Sequence, residues 1–401
     1  MYSTERMTGF NRPLRLLLLL AMPSCCAARS LSFSNAVSRR TAAGDIIDSH
    51  SNVMLEINGT FFLYGEFHAH GQNEGASSPV PKLSVYTSKD MNTWEFGGLL
   101  HNNTAATWGA DAEESNFWCP DAVWDAKRQR VVIYFTNQGH AGGWGVATSS
   151  DGVHFELVGL GFGSSQGGTA GGIDGNALLI DSDGAGYIAY ATIRAAKGNR
   201  TGDHMVTIDR LAPDMLSSSQ QQVGPIFPDS FVEGVIFFKR DGFYYLIYSS
   251  CCCCCTAGAG ATVFRASHIA GPWTRQSRDV NCHADVPICA GMPDHEHPAR
   301  PTGQLIIPAQ GFNVARLQGP GGVDDDKDAV YIWTGERWLS GPFAPNSTCI
   351  GDCVAATGAC ARDPRFRKGH EFTYWSPLEF DDAGDIQMFK AFQSSVTIDV
   401  A

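Results

Sequence analysis

The chain has 401 residues, of which 43% are hydrophobic, so size does not limit the core it can build. Lys and Arg number 29 against 41 Asp and Glu, a net charge of −12, and no basic run occurs anywhere. That balance argues against nucleic acid and anionic membrane surfaces as partners.

The first thirty residues hold Arg12 and Arg15, the leucine run Leu16 to Leu20, and small residues around Cys25-Cys-Ala-Ala28. This is the layout of a secretory signal over 1–30. The run is too short to span a bilayer, and no later stretch reaches the roughly eighteen apolar residues a span needs. A secreted, extracellular protein with no membrane association after signal cleavage is expected. Residues 31–44 are small and polar and read as a tether, with one folded domain over 45–401. Four sequons, at Asn58, Asn102, Asn199 and Asn346, fit a glycoprotein.

Thirteen cysteines suit an oxidising compartment and a disulfide-bonded protein. Removing Cys25 and Cys26 with the signal leaves an odd number, so at least one thiol stays unpaired within the chain. The shortest loop closures are Cys282 with Cys289, and two among Cys349, Cys353 and Cys360.

From Asn58 onward a theme recurs: a turn, a short apolar or aromatic strand, and a second strand. It runs through Asn58–Gly65 with Leu83–Trp94, Lys127–Thr136 with Trp144–Phe155, and Ser182–Ala191. It returns in Phe231–Ser250 with Ala261–Trp273, and in Asp328–Trp333 with Phe372–Phe380. Five copies at roughly sixty-residue spacing, with no sustained helical period, predict an all-β, five-bladed β-propeller. Such a fold has one axial pocket, on which residues at the start of each blade converge. Acids stand there: Asp121 in Phe117-Trp-Cys-Pro-Asp121, Asp174 in Gly172-Ile-Asp-Gly-Asn176, and Glu233 in Val232-Glu-Gly234. Glu233 heads an apolar hairpin. A carboxyl there is poorly solvated, the circumstance that keeps a general acid protonated near neutral pH.

These three openings resemble the family 43 glycoside hydrolases, in which Trp-x-Pro-Asp opens blade two, an Asp precedes blade three and Glu-Gly precedes blade four. The resemblance covers residues 45 to 395. Ile47-Asp-Ser-His50 with Ile57-Asn-Gly-Thr-Phe-Phe-Leu-Tyr-Gly-Glu66, and Trp333-Thr-Gly-Glu-Arg-Trp338 with Tyr374-Trp-Ser-Pro-Leu378, resemble the subgroup that includes the exo-β-1,3-galactanases. Most of the family carries a general-base Asp in blade one. Counting back from Asn58-Gly, that position falls at Ser51. The galactanase-like subgroup lacks it too, and a Gln before blade five is thought to stand in; the matching residue is Gln310 in Ile306-Ile-Pro-Ala-Gln-Gly-Phe312.

A glycosidase needs one acid for the leaving oxygen and a second group to activate water or attack the sugar. The expected assignment is Glu233 as acid, Asp174 as the carboxylate that steers it, and Gln310, failing which Asp48 or His50, as the group that holds the water. Asp121 and His50 are expected on sugar hydroxyls, and Trp118 or Trp144 on a sugar face. The result is an inverting hydrolase of a galactose- or arabinose-containing oligo- or polysaccharide, monomeric, needing no cofactor, with a structural calcium on the axis allowed by the resemblance. The rival is a glycan-binding propeller that has lost turnover. A retaining fructan-type hydrolase requires an Asp in a Trp-x-Asn-Asp-Pro setting, which is absent. Cys251 to Cys255 are expected at the pocket rim. His283, His295 and His297 match no familiar zinc spacing, and Val323-Asp-Asp-Asp-Lys-Asp328 reads as a solvated acidic turn.

Overall fold

The computed structural model describes residues 29–68, 82–102, 108–138, 142–167, 173–194, 203–229, 232–250, 258–282, 305–318, 326, 329–338 and 371–400. The chain enters on β1 (Arg29–Ser34). Blade one comprises β2 (Arg40–Thr41), β3 (His50–Ile57), β4 (Thr60–Phe67), β5 (Lys82–Ser88) and β6 (Thr93–Leu99), in the sheet order β2-β6-β5-β4-β3. Asn58 and Gly59 link β3 to β4 with φ of 50° and 69°, the two-residue turn that Asn-Gly favours because both central residues are left-handed.

A short helix α1 (Ala110–Glu114) leads into blade two: β7 (Asn116–Asp125), β8 (Arg130–Gln138), β9 (Trp144–Ser149) and β10 (Glu156–Phe162). Blade three is β11 (Ile173–Ile180), β12 (Gly186–Arg194), β13 (Asp203–Leu211) and β14 (Ser218–Gln222). Blade four is β15 (Val232–Arg240), β16 (Phe243–Ser250), β17 (Thr262–Ala266) and β18 (Thr274–Arg275). Blade five has three strands among the described residues, β19 (Gln310–Leu317), β20 (Val330–Arg337) and β21 (Phe372–Pro377), before the chain ends on β22 (Ser395–Val400).

The strands β3, β7, β11, β15 and β19 each touch the next, and β19 returns to β3, so they form the inner ring of the five-bladed propeller. Apolar alternation on both faces of each blade fills the wedges between blades. Phe117 and Phe135 pack with Val85 between blades one and two, and Trp144 with Tyr134 and Tyr190 between two and three. Phe237 and Tyr248 pack between three and four, and Ile236 with Trp333 between four and five. Each large side chain so buried stabilises the ring by roughly 1.5–3 kcal/mol.

The fifth wedge corrects an expectation. Residues 31–34 of the segment read as a tether belong to β1, which pairs antiparallel with β22 from Arg29 opposite Val400 to Ser34 opposite Ser395. Leu31 and Phe33 point into the wedge between blades five and one, beside Trp375, Leu317 and Phe61. Two apolar residues alternating with serines are a strand period, short enough to pass for a polar linker. Arg29 and Ser30, assigned to the signal, belong to this strand as well. Cys282 is disulfide-bonded, whereas Cys119 is a thiol. Cys251 to Cys255, Cys289, Cys349, Cys353 and Cys360 lie outside the described residues, and so does the pairing expected of them. No helix among the described residues is long and apolar enough to cross a membrane.

Candidate active site

Every inner strand breaks register at the same place. The breaks fall between His50 and Val53, Trp118 and Asp121, Asp174 and Asn176, Glu233 and Ile236, and Gly311 and Asn313. In four of them the next residue is left-handed: Ser51 at φ 47°, Cys119 at 46°, Gly175 at 66° and Gly234 at 62°. A bulge bends the strand and re-aims the side chain beside it. His50, Trp118, Asp174 and Glu233 therefore hold equivalent places in blades one to four; in blade five the residue before the break is Gly311, and Gln310 stands one residue earlier. For Asp174 this rests on backbone register, opposite Ala191. Ser51, taken in the sequence as the blade-one position, instead fills the role that glycine has in blades three and four, and the residue at the ring place is His50.

Glu233 is buried, and Gly234 explains how it meets its partner. A Cβ on Gly234 would lie 2.3 Å from the Gly311 carbonyl oxygen, so only glycine lets β15 come this close to β19. The approach puts Gln310 Nε2 at 2.8 Å from Glu233 Oε1, donating to it. At its other end Gln310 Oε1 accepts the Trp338 indole N–H at 2.8 Å. Because indole is a donor only, this contact fixes which end of the amide faces the acid. Gln310 is thus bound at both ends within the protein, and its contact is with the acid. His204, on β13, places Nδ1 3.8 Å from Glu233 Oε2.

In blade one, His50 Nδ1 stands 2.9 Å from Glu371 Oε2 and 3.5 Å from Glu336 Oε1, all three side chains being almost wholly buried. Its ring lies 4.7 Å from Trp338 and 5.9 Å from His68, centroid to centroid. Among the described residues these three donors are the group close enough to gather round a cation. The 2.9 Å separation suits an imidazole against a carboxylate and equally two ligand atoms of one cation. Asp48 Oδ1 accepts the His68 backbone N–H at 2.8 Å. Glu66 Oε1 accepts the Cys119 N–H at 2.9 Å, and its Oε2 lies 3.1 Å from His68 Nε2. Glu66 thereby braces the seam between blades one and two, and Asp48 holds the chain within blade one.

Two expectations change. Asp121, expected on a sugar hydroxyl, is buried with both oxygens engaged: Oδ2 accepts from Leu178 N–H in blade three at 2.5 Å and Oδ1 from Asn313 Nδ2 in blade five at 3.2 Å. It ties three blades together. Burial pushes its carboxyl up to about 7, against partial relief from the Leu178 and Ala122 N–H groups. Trp144 is fully buried, edge-on to Tyr190 at 5.1 Å, and is a core residue with no face for a sugar. Trp118 is partly exposed at the ring place, 5.7 Å from the His68 ring.

Sequence reasoning assigned no role to Glu66, His68, His204, Trp338, Glu336 or Glu371. A buried glutamate ending the apolar strand Thr60–Phe67 was a readable signal for Glu66; His204 and Glu371 gave none, because only the fold brings them in. His283, His295, His297 and most of the acidic turn lie outside the described residues. Asp326 of that turn accepts from Arg316 Nε and the Tyr331 hydroxyl at 3.1 and 3.0 Å.

The chain is similar in fold to an exo-β-1,3-galactanase from Clostridium thermocellum, with TM-score 0.64 and 19% identity over 92% of this chain and 67% of that one. An exo-β-1,3-galactanase from Phanerochaete chrysosporium, solved with galactose, gives 0.60 and 18% over 92% and 69%. A family 43 β-1,3-galactosidase bound to galactodeoxynojirimycin gives 0.61 and 16% over 90% and 99%. No curated protein sequence matches the chain. The family model for glycosyl hydrolases family 43 matches residues 53–288, from β3 past the Glu233 bulge, and the chain therefore belongs to the glycosyl hydrolases of family 43.

Proposed function

We propose that this glycoside hydrolase is secreted and hydrolyses β-1,3-linked galactose in a polysaccharide, with inversion at the anomeric carbon. The observation that carries the reading is the Glu233–Gln310–Trp338 chain at the inner ring, an acid held by a neutral amide where the blades converge. The fold shared with galactanases and galactosidases supports galactose as the sugar. The first thirty residues and the sequons support export.

In this reading Glu233 gives its proton to the leaving oxygen, and Gln310 holds the carboxyl by the oxygen that does not carry that proton. Asp174, one place round the ring, steers Glu233 by its charge, and Trp118 stacks on a sugar face. The protein acts as a monomer and its chemistry uses no cofactor. A calcium ion on the axis would be structural, and metal analysis before and after EDTA treatment tests it. Glu233→Gln should lower turnover of β-1,3-galactan by about 10²–10⁴-fold while glycan binding survives. Equal binding by both forms with no product from either would favour the non-catalytic, glycan-binding reading.

A further inference from the structure

We propose that His50, Glu336 and Glu371 form a metal site for a divalent transition ion of the zinc class, bound in the wedge where blades five and one meet. The ion holds the fold and takes no step in hydrolysis, so the proposal goes beyond the hydrolase reading and does not depend on it.

Three strands deliver the ligand atoms. His50 opens β3 of the inner ring, Glu336 lies near the end of β20, and Glu371 directly precedes β21, so both blades of the wedge contribute. His50 Nδ1 stands 2.9 Å from Glu371 Oε2 and 3.5 Å from Glu336 Oε1, and the three atoms lie within 4.8 Å of one another. Ligand atoms about 2.0 Å from a tetrahedral zinc ion are about 3.3 Å apart, a value that the two separations bracket. His50 Nδ1 and Glu371 Oε2 come this close without the alignment of a hydrogen bond, as two ligands of one ion do. One imidazole with two carboxylates is a donor set for zinc or manganese, whereas calcium takes about six to eight oxygen ligands.

Charge and supporting contacts favour an ion there. Both glutamate side chains are fully buried, and two ionised carboxylates so close together in a poorly solvated wedge need positive charge beside them. Arg39 supplies one: burial lowers its guanidinium to about 9 while Glu336 pulls it up, so it stays charged at neutral pH. A divalent ion among the three donors supplies the rest. Glu336 is also aimed at the site. Thr373 Oγ1 donates to its Oε2 at 3.3 Å and in turn accepts from Asn52 Nδ2 at 2.7 Å, which leaves Oε1 on the side of His50. Outer contacts of this kind orient metal ligands. Glu371 further borders a cavity of about 20 Å³ lined also by Ser49, Asn52 and Thr373, in which Ser49 Oγ and Asn52 Oδ1 are buried with no hydrogen-bond partner among the described residues. That volume admits one water, so a water ligand has polar space beside Glu371. The His50 ring lies 4.7 Å from Trp338, whose indole N–H holds Gln310, and the ion thereby stiffens the support behind Glu233.

The test uses the purified full chain and cobalt(II), whose absorption reports its ligands. After EDTA treatment the wild-type chain should take up one cobalt ion, with visible ligand-field bands and without the near-ultraviolet charge-transfer band of a thiolate, and zinc should displace it. Zinc should also raise the melting temperature of the metal-free chain. Glu371→Gln and Glu336→Gln keep side-chain size; each should weaken cobalt binding by at least about tenfold and lose the zinc-dependent rise in melting temperature. Thr373→Val, which removes the hydroxyl that aims Glu336, should weaken binding by about tenfold. The wild-type titration decides the matter even where a variant fails to fold. Absence of cobalt and zinc uptake by wild type would leave the three groups a charge pair and overturn the proposal. So would a thiolate band with metal content unchanged in Glu371→Gln, which would place the ion on cysteines.

Discussion

Asp121 shows how a residue that looks like a sugar ligand in the sequence can be structural in the fold. Its carboxyl titrates near 7 because burial disfavours the charge, whereas an exposed Asp titrates at 3.8. The folded chain therefore holds this proton more tightly than the unfolded one. The stability that follows is full below about pH 4 and is lost as pH climbs through about 7, by at most about 4 kcal/mol. Asp121→Asn keeps an acceptor oxygen for the Leu178 N–H and removes the titration. Relative to wild type, the variant's melting temperature should rise progressively between pH 4 and 7.5. Two parallel melting curves across that range would contradict the assignment. His50 was legible as a polar residue at the start of the first strand of its hairpin, but its neighbours Glu336 and Glu371 are hidden by sequence separation.

The bulge is the element that turns five ordinary hairpins into a site. Its signature was half readable: Asp-Gly at 174–175 and Glu-Gly at 233–234 announce a left-handed residue after the functional one. In blades one and two the same place is taken by Ser51 and Cys119, which do not advertise that conformation, and counting residues there missed the ring place by one. Gly234→Ala is the direct probe, since its new Cβ would meet the Gly311 carbonyl at 2.3 Å and its φ is 62°. Strain of about 1–3 kcal/mol is expected. Because β15 must back away from β19, the Glu233–Gln310 contact should open and kcat should fall by about tenfold or more. Unchanged melting and turnover in purified Gly234→Ala would show that the close approach does not matter. The hairpins themselves, from Asn58–Gly65 to Phe372–Phe380, were legible because strand alternation and turn residues are local signals.

At the scale of the whole molecule, spacing revealed five blades, but the closure of the ring was not visible. It depends on β1 meeting β22 across the full length of the chain, with Leu31 and Phe33 filling the wedge that blades five and one would otherwise leave exposed. A pairing between residues so far apart has no local mark in either segment. The closed ring is also what gives the site its geometry, since it sets Glu233 on β15 beside Gln310 on β19, and β19 in turn against β3. The proposed activity is hydrolysis of a β-linked galactan by direct attack of water. Proton NMR of the purified protein with β-1,3-galactan oligosaccharides, followed from the first turnovers, tests it most directly. The α-anomer of galactose should form first and then mutarotate. A first-formed β-anomer, or no product at all, would contradict it.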